Sequence, residues 1–348
     1  MKRHGNRLAG AAVALAVAAA GIALSARGAA AQEVIELKLA HFLPTANGMH
    51  RDFMEPWARE LEACSKGRVK VTIYPGGTQL GNIAKLYDEV RAGVVDIAHG
   101  LHGIPGGRFE RTRIVDLPFT FKSADSATRT LWALFPDYLA EEYPGVKVLA
   151  LHAHNPGQIH TATRPVRSVE DMKGLRIRFP SGAVRMMLEY LGATPVGLPP
   201  GEVYENVRKG VIDGAAFTWD TMDSFNLAEV MNYHTDAKAY VVSFWFAMNQ
   251  RRYQSLPDEV RACVDSLSGD NLIPKFGDWW NAWDKAGYDR VRGEGHTIIE
   301  LDDAERETWR KVLAPMIDAY LADLEGKGIA NARQIYAAMR EKAAEFER

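Results

Sequence analysis

Residues 169–180 of the chain read VEDMKGLRIRFP, and this stretch decides the fold. Its second half alternates apolar and basic side chains and ends at Pro180, which predicts a strand over 174–179. A helical pattern follows over 183–191, and a second strand pattern over 194–198. Strands and helices that alternate in such short units are typical of a sheet covered by helices, so the sequence predicts an α/β fold.

The same alternation extends outward from this stretch in both directions. Strands are predicted over 34–42 and 69–74, and the helix between them has an apolar face formed by Met49, Phe53, Trp57 and Leu61. An apolar, partly β-branched strand over 240–248 suits a crossing from one lobe to another. After Pro257 the pattern changes to long helices.

A chain of 348 residues is too long for one ordinary core and indicates two domains. No low-complexity tract or flexible linker interrupts residues 32–348, so the two lobes are expected to be joined by several crossings of the chain, as in a hinge. The predicted lobes are discontinuous: 32–155 plus 243–283 form lobe I, and 156–242 plus 284–348 form lobe II.

The N-terminus has the pattern of a secretory signal peptide. Lys2, Arg3 and Arg7 precede an apolar run over 8–24, and Ala29 to Ala31 fit a cleavage site before Gln32. We therefore predict that residues 1–31 are removed and that the protein is periplasmic. A retained membrane anchor is the alternative, because the apolar run is nearly long enough to span a bilayer.

Charge and cysteine content narrow the function classes. The formal net charge is −2, which favours neither nucleic acid nor an anionic membrane surface as a partner. The two cysteines, Cys64 and Cys263, lie far apart within helical patterns and do not suggest a disulfide framework. The sequence predicts two separate buried thiols.

Short catalytic motifs and metal-ligand spacings are absent from the sequence, and neither a cofactor nor a metal is expected. His152 and His154 lie on one face of a predicted strand, but no third ligand follows at a fixed short spacing. In open α/β sheets the carboxyl ends of the strands face the ligand crevice. His41, His99 and His154 are near such ends, so we expect them to line a pocket.

Arg178 is a more specific candidate for a ligand-binding residue than the histidines. Arg176 and Arg178 project from one face of the predicted strand near its carboxyl end. Spacing alone favours a solvent-facing or structurally paired arginine. A ligand-binding arginine would use its planar, permanently charged fork to hold a carboxylate through two parallel hydrogen bonds.

With its companion strings, this stretch resembles the solute-binding proteins of TRAP (tripartite ATP-independent periplasmic) transporters. The companion strings occur in the family's order along nearly the whole chain after residue 31: Tyr74-Pro75-Gly76, Gln79-Leu80-Gly81, Asp116-Leu117-Pro118-Phe119, Gly192-Ala193-Thr194-Pro195, Glu202-Val203-Tyr204 and Gly210-Val211-Ile212-Asp213-Gly214. Each string is weak evidence alone, and together they are strong evidence.

The resemblance implies a two-lobed periplasmic-binding-protein fold with crossing hinge strands and a long hinge helix, which closes over its ligand. It also implies that the second arginine of the motif, Arg178, holds the ligand carboxylate, and that Arg176 is structural or exposed. The implied partners are a small organic acid and the membrane subunits of a TRAP transporter, and the protein is expected to be a monomer.

Departures from the sialic-acid-binding members of that family suggest a different ligand. Those members have asparagines at the positions of Phe42 and Phe217 and a second ligand-binding arginine near Gln158. Drift in packing is one explanation. The functional explanation is a pocket walled by Phe42, Phe217 and Trp219, with His154 or Gln158 near its rim, which suits an aromatic or otherwise apolar carboxylate.

The sequence therefore predicts a periplasmic binding protein and not an enzyme. One alternative is the ligand-binding input of an extracellular sensor, since the same fold can report a ligand to a receptor. A periplasmic enzyme that acts on an organic acid is the less favoured alternative, because many active sites lack short motifs.

Overall fold

Two β-sheets organise the part of the chain that the computed structural model describes, residues 34–348. The predicted signal peptide, residues 1–31, lies outside these residues. The first sheet has five strands in the order β2-β1-β3-β10-β4, and the second has six in the order β11-β9-β5-β8-β6-β7. The strands are β1 (Ile35–His41), β2 (Val69–Tyr74), β3 (Ile97–Leu101), β4 (Val146–Ala153), β5 (Gln158–Thr161), β6 (Arg176–Phe179), β7 (Thr194–Gly197), β8 (Gly214–Phe217), β9 (Tyr233–Asp236), β10 (Ser243–Asn249) and β11 (Thr297–Glu300).

Helices alternate with these strands and dominate the C-terminal third. They are α1 (Glu55–Cys64), α2 (Leu86–Ala92), α3 (Ala124–Leu134), α4 (Gly182–Tyr190), α5 (Val203–Arg208), α6 (Asp220–Ser224), α7 (Gln250–Ser255), α8 (Asp258–Ser266), α9 (Phe276–Gly293), α10 (Asp303–Gly326) and α11 (Ala332–Phe346). The mixed α/β class predicted from the sequence is confirmed. None of the helices described here is long and apolar enough to cross a membrane.

Both sheets mix parallel and antiparallel pairs. In the first sheet β1 is parallel to β3, and β10 is antiparallel to β3 and β4. In the second sheet β5 is antiparallel to β8 and β9, whereas β6 is parallel to β7 and β8. The antiparallel strands β5 and β10 lie where the chain passes between the sheets, because β4 leads into β5 and β9 leads into β10.

Helix α9 is the long element that joins the two sheets. It packs against α6, which follows β8 of the second sheet, and against α3, which precedes β4 of the first. Farther along, α10 packs against α4, and α11 packs against α3. The predicted lobe boundaries stay a prediction.

The helix predicted around Met49, Phe53, Trp57 and Leu61 has its apolar face buried, as its spacing predicts. It changes type on the way. A π-helical turn, Met49–Met54, leads into α1, and Pro56 lies in the first turn of α1. Proline is tolerated there because the first N–H groups of an α-helix have no partner within the helix. Pro56 therefore lies where the helix changes type.

Cys64 and Cys263 form a disulfide, so the prediction of two separate thiols is wrong. They are 199 residues apart in sequence, but their Cα atoms are 5.8 Å apart because α1 and α8 pack against each other. The indole N–H of Trp57 on α1 also donates to the Leu267 carbonyl just beyond α8, at 2.8 Å. Spacing along the chain does not reveal such a helix pair.

Replacing both cysteines by serine is expected to lower the free energy of unfolding by about 2–5 kcal/mol, since a crosslink over so long a loop restricts the unfolded chain. Urea unfolding of the two proteins, with and without reductant, measures the difference. Reductant should lower the urea concentration at which half of the wild type is unfolded and leave that of the double variant unchanged. Two titratable thiols in the unreduced, denatured wild type would contradict the disulfide.

Candidate ligand-binding cavity

A cavity lies where strand ends of both sheets converge. Its walls come from segments that follow β1, β3, β4, β6 and β8, and from the crossing segment that leads into β10. The cavity volume is about 50 Å³, which is small beside the roughly 300–1,000 Å³ of most ligand pockets. The lining residues are Phe42, Leu43, Asn47, Met49, Leu101, His154, Arg178, Pro180, Pro200, Ala216, Phe217, Thr218, Asp220, Thr221, Phe225, Tyr240, Val242, Phe244 and Trp280.

Arg178 supplies the positive charge of this cavity. Its side chain lies on β6 and is only 1% exposed. The guanidinium donates through Nε to the Leu198 carbonyl at 3.1 Å and through Nη1 to the Ala216 carbonyl at 3.3 Å. The Phe217 ring centroid lies 4.2 Å from the guanidinium carbon, in cation–π contact. Two carbonyls and a ring therefore fix the fork in place.

One edge of this fork has no partner. Within residues 34–348, Nη2 of Arg178 makes no hydrogen bond and the guanidinium makes no ion pair with a carboxylate. Burial lowers the pKa of Arg178 to about 10, so the side chain is still charged at neutral pH. A buried cation without a neighbouring anion destabilises the folded protein, and a bound carboxylate would reduce that free-energy penalty.

Arg176, two residues earlier on the same strand, has a different role. Its guanidinium donates to both carboxylate oxygens of Asp213, at 3.0 Å from Nε and 2.6 Å from Nη2. Asp213 also accepts the backbone N–H of Arg176 at 2.8 Å, so it ties β6 to the segment before β8. The expectation that Arg176 is structural is confirmed.

Tyr240 is a cavity residue that the sequence did not single out. Its hydroxyl is buried and makes no hydrogen bond to any described residue. Burial raises the pKa of Tyr240 far above its usual value, and the nearby charge of Arg178 opposes that rise. Gly157 gives the ring its space, since a Cβ there would lie 2.4 Å from the Tyr240 Cζ atom. Tyr240 thus adds a second unused donor near Arg178.

Aromatic rings form much of the remaining wall. Phe42 and Phe217 lie in the cavity, as the sequence analysis predicted. Phe225, Phe244 and Trp280 join them and were not predicted. The Phe244 and Trp280 rings are 5.7 Å apart, and those of Phe217 and Phe225 are 6.4 Å apart. The walls are suited to a flat, apolar group.

Trp219 does not wall the cavity, and this part of the predicted pocket is corrected. Strand β8 ends at Phe217 and α6 begins at Asp220, so the alternation that would carry Trp219 to the same face stops between them. The Trp219 ring instead packs in the interior beside His160, His234 and Tyr288, at 5.3, 5.7 and 5.1 Å between centroids.

Gln158 and His99 also lie outside the cavity lining. The amide nitrogen of Gln158 donates to the Pro156 carbonyl at 2.7 Å and to Asp236 Oδ1 at 3.2 Å, beside a separate polar depression that Trp219 also borders. His99 lies behind the wall, where its ring stacks on Phe42 at 6.0 Å and Nε2 bonds His152 Nε2 at 2.9 Å. Gln158 is held away from the cavity, and His99 supports Phe42 from behind.

His154 does line the cavity, but it brings no charge at neutral pH. Its Nδ1 hydrogen-bonds the Asn155 carbonyl, and burial lowers the pKa of His154 to about 4. Arg178 is thus the one cation among the described lining residues. No group of three or more metal-ligating side chains with the geometry to hold a metal ion occurs within residues 34–348. As ligand contacts, all of the predicted residues stay predictions.

Residues 39–323 match the family described as "Bacterial extracellular solute-binding protein, family 7". The chain belongs to this family. Three solved structures of TRAP solute-binding proteins share its fold. The protein from Rhodoferax ferrireducens T118, with copurified benzoate, is 31% identical at a TM-score of 0.87, covering 90% of this chain and 99% of that one.

The second is a marine metagenome protein specific for aromatic acid ligands, solved with metahydroxyphenylacetate. It is 30% identical at a TM-score of 0.87, covering 90% of this chain and 100% of that one. The third, from Bordetella bronchiseptica, was solved with (R)- and (S)-mandelate. It is 29% identical at a TM-score of 0.81, covering 89% of this chain and 99% of that one. The two-lobed fold predicted from the sequence is confirmed by this likeness.

Because Arg178 is buried without a carboxylate, Arg178→Met is expected to leave the free energy of unfolding of the ligand-free protein within about 1 kcal/mol of wild type, or to raise it. Arg113 is the matched control, since it is buried but ion-paired with Glu110. Arg113→Met should lower the free energy of unfolding clearly, because it removes the buried partner of Glu110, whose other ion pair, with Lys327, is 3.9 Å long. Urea unfolding compares them. Equal losses would make Arg178 a structural residue.

Proposed function

We propose that this chain is the periplasmic solute-binding protein of a TRAP transporter and that it captures an aromatic monocarboxylate in the cavity around Arg178. The single observation that carries the proposal is the buried guanidinium whose Nη2 edge has no partner among the described residues, in a cavity walled by aromatic rings. The captured acid would be delivered to the membrane subunits of the transporter.

The carboxylate would bind at the Arg178 end of the cavity. Nη2 of Arg178 and the hydroxyl of Tyr240 are two buried donors without acceptors, and both side chains line the same cavity. A carboxylate offers acceptor sites for both. Hydrogen bonds to an ionised group contribute about 1.5–3 kcal/mol each, and the positive charge adds to the attraction inside a dry site.

The rest of the ligand would be an aromatic ring. Phe42, Phe217, Phe225, Phe244 and Trp280 line the cavity, and aromatic side chains offer faces and edges on which another ring can pack. The three ligand-bound structures at 29–31% identity support this choice, since benzoate, metahydroxyphenylacetate and mandelate each combine one ring with one carboxylate.

A second carboxylate on the ligand would find no counter-ion. Arg178 is the one cation on the described cavity wall, and His154 is neutral at physiological pH. Asp220, which also lines the cavity, would repel a second negative charge. We therefore expect benzoate and 3-hydroxybenzoate to bind and phthalate to be rejected.

The lobes that close on the ligand would be those inferred from the sequence, 32–155 plus 243–283 and 156–242 plus 284–348. The position of β10 in the first sheet supports the placement of 243–283. Closure would bury the ligand between strand ends of both sheets, as the shared lining of the cavity suggests.

Arg178→Ala is expected to weaken binding of benzoate by two to four orders of magnitude, or about 3–5 kcal/mol, because the desolvated carboxylate loses its charged partner. Arg178→Lys should recover part of that loss, since lysine restores charge without the planar fork. Isothermal titration calorimetry measures both. Arg176→Ala is the matched control on the same strand and should bind as wild type does. Wild-type affinity in Arg178→Ala would refute the anchor.

Tyr240→Phe removes one donor and keeps the ring. It is expected to weaken binding of the same acid about 10- to 100-fold, which is the worth of one hydrogen bond to an ionised group. Tyr190→Phe, at an exposed tyrosine of α4, is the control. An unchanged dissociation constant in Tyr240→Phe, with Arg178→Ala impaired, would leave Arg178 as the anchor and remove Tyr240 from the site.

A further inference from the structure

Asn47 joins the two sides of the cavity directly. It lies in the loop after β1, and its amide nitrogen donates to Asp220 Oδ2 and to Ser224 Oγ on α6, both at 3.0 Å. Its amide oxygen accepts the backbone N–H of Met49 at 2.9 Å. Since α6 follows a strand of the second sheet, this contact spans from one sheet's segment to the other's. If the two walls of the cavity move apart, the hydrogen bonds between Asn47 and α6 must break.

Asp220 is in turn fixed to the long helix α9. Its backbone N–H donates to Asp284 Oδ1 at 3.1 Å, and Asp284 Oδ2 accepts from the Asn155 amide, also at 3.1 Å. The approach of the two helices is close, because a Cβ on Gly287 would lie 1.8 Å from the Trp219 carbonyl oxygen. Two carboxyl groups thus lie at the junction of both sheets and α9.

Neither carboxyl has a cationic partner in the part of the chain that the structure describes. The Asp220 oxygens accept from Asn47, Thr218 and Ser224, which are neutral donors. Most charged and titratable groups on the elements around them are paired elsewhere or uncharged: Asp223 with Arg290, Lys285 with Asp289, Lys238 with Asp236, Lys122 with Glu347, Arg51 with Asp52, and the phenol of Tyr240. Arg178 is the exception, since it stays charged and lines the same cavity as Asp220, but it hydrogen-bonds neither carboxyl.

We propose that the Asn47–Asp220 contact is the latch of the closed cavity, and that closure around a ligand takes up a proton on the Asp220–Asp284 pair. A proton would take the place of a counter-ion. Two neighbouring carboxylates that are buried and hydrogen-bond no cation cannot both stay ionised. The ligand part of this proposal rests on the proposed function; the latch itself does not.

The direction of the pH dependence follows from the closed form. Burial, and then the charge of Asp220, raise the pKa of Asp284 to about 8, and burial also raises the pKa of Asp220. Opening would separate Asn47 and Asn155 from the pair and admit water, so the pKa values of both carboxyl groups would fall towards their usual value near 4. The protonated pair therefore favours closure. The contribution of this protonation to the free energy of closure is fully present below about pH 4 and is lost as the pH rises through about 8.

Calorimetry with benzoate tests the coupling to ligand. Uptake of one proton corresponds to a fall in affinity of up to about tenfold per pH unit between pH 6 and 8, with levelling above that range. At pH 7, buffers of different ionisation enthalpy should report uptake of up to one proton by the wild type and much less by Asp284→Asn. A pH-independent affinity with no proton uptake would overturn the proposal.

The latch can be tested without any ligand. Spin labels on Lys85→Cys and Lys209→Cys, exposed positions near the two sheets, report the distance between the lobes. The closed fraction of the ligand-free protein should be larger at pH 6 than at pH 9 in the wild type, and small at both in Asn47→Ala. Asn232→Ala, at an exposed asparagine, is the control and should behave as wild type does.

The two proposals fail in different ways. Asn47→Ala should also weaken benzoate binding about tenfold and flatten its pH dependence. A pH-dependent closed fraction in a protein that binds none of the tested acids would support the latch and refute the proposed ligand. Binding of benzoate with a distance distribution that neither pH nor Asn47→Ala changes would refute the latch and keep the ligand.

Discussion

The buried guanidinium of Arg178 is the constraint on which the site depends. A cation that is 1% exposed and has no described carboxylate partner must be held by other means, or it would move towards water. Two backbone carbonyls and the face of Phe217 hold it. They use Nε and Nη1 and leave one charged donor edge, Nη2, without a partner among the described residues.

Both sheets contribute to that arrangement because their strand ends meet at the cavity. Arg178 lies on β6 of the second sheet, whereas Phe42 follows β1 of the first. Tyr240 comes from the segment that crosses between them. A site assembled from both sheets is complete only when the sheets are close together.

Local pattern predicted the strands that carry the site, but the resemblance to TRAP solute-binding proteins singled out Arg178, Phe42 and Phe217. Spacing alone favoured a solvent-facing or structurally paired arginine. Trp219 is two residues after Phe217 and would face the same side of a continuous strand. The strand ends at Phe217 and the chain turns into α6, so this alternation no longer applies. Tyr240, Trp280 and the Cys64–Cys263 disulfide depend on how distant segments pack, which no local period encodes.

Asp220 and Arg178 line the same cavity without pairing with each other. If Asp220 paired with Arg178, the site would neutralise itself and a ligand carboxylate would have to displace that bond. Asn47, Thr218 and Ser224 instead supply donors to Asp220, and no ion pair joins it to Arg178 within residues 34–348. The acid is satisfied by neutral groups and the cation is not. That asymmetry leaves the positive charge without a partner among the described residues and places Asp220 at the contact with Asn47.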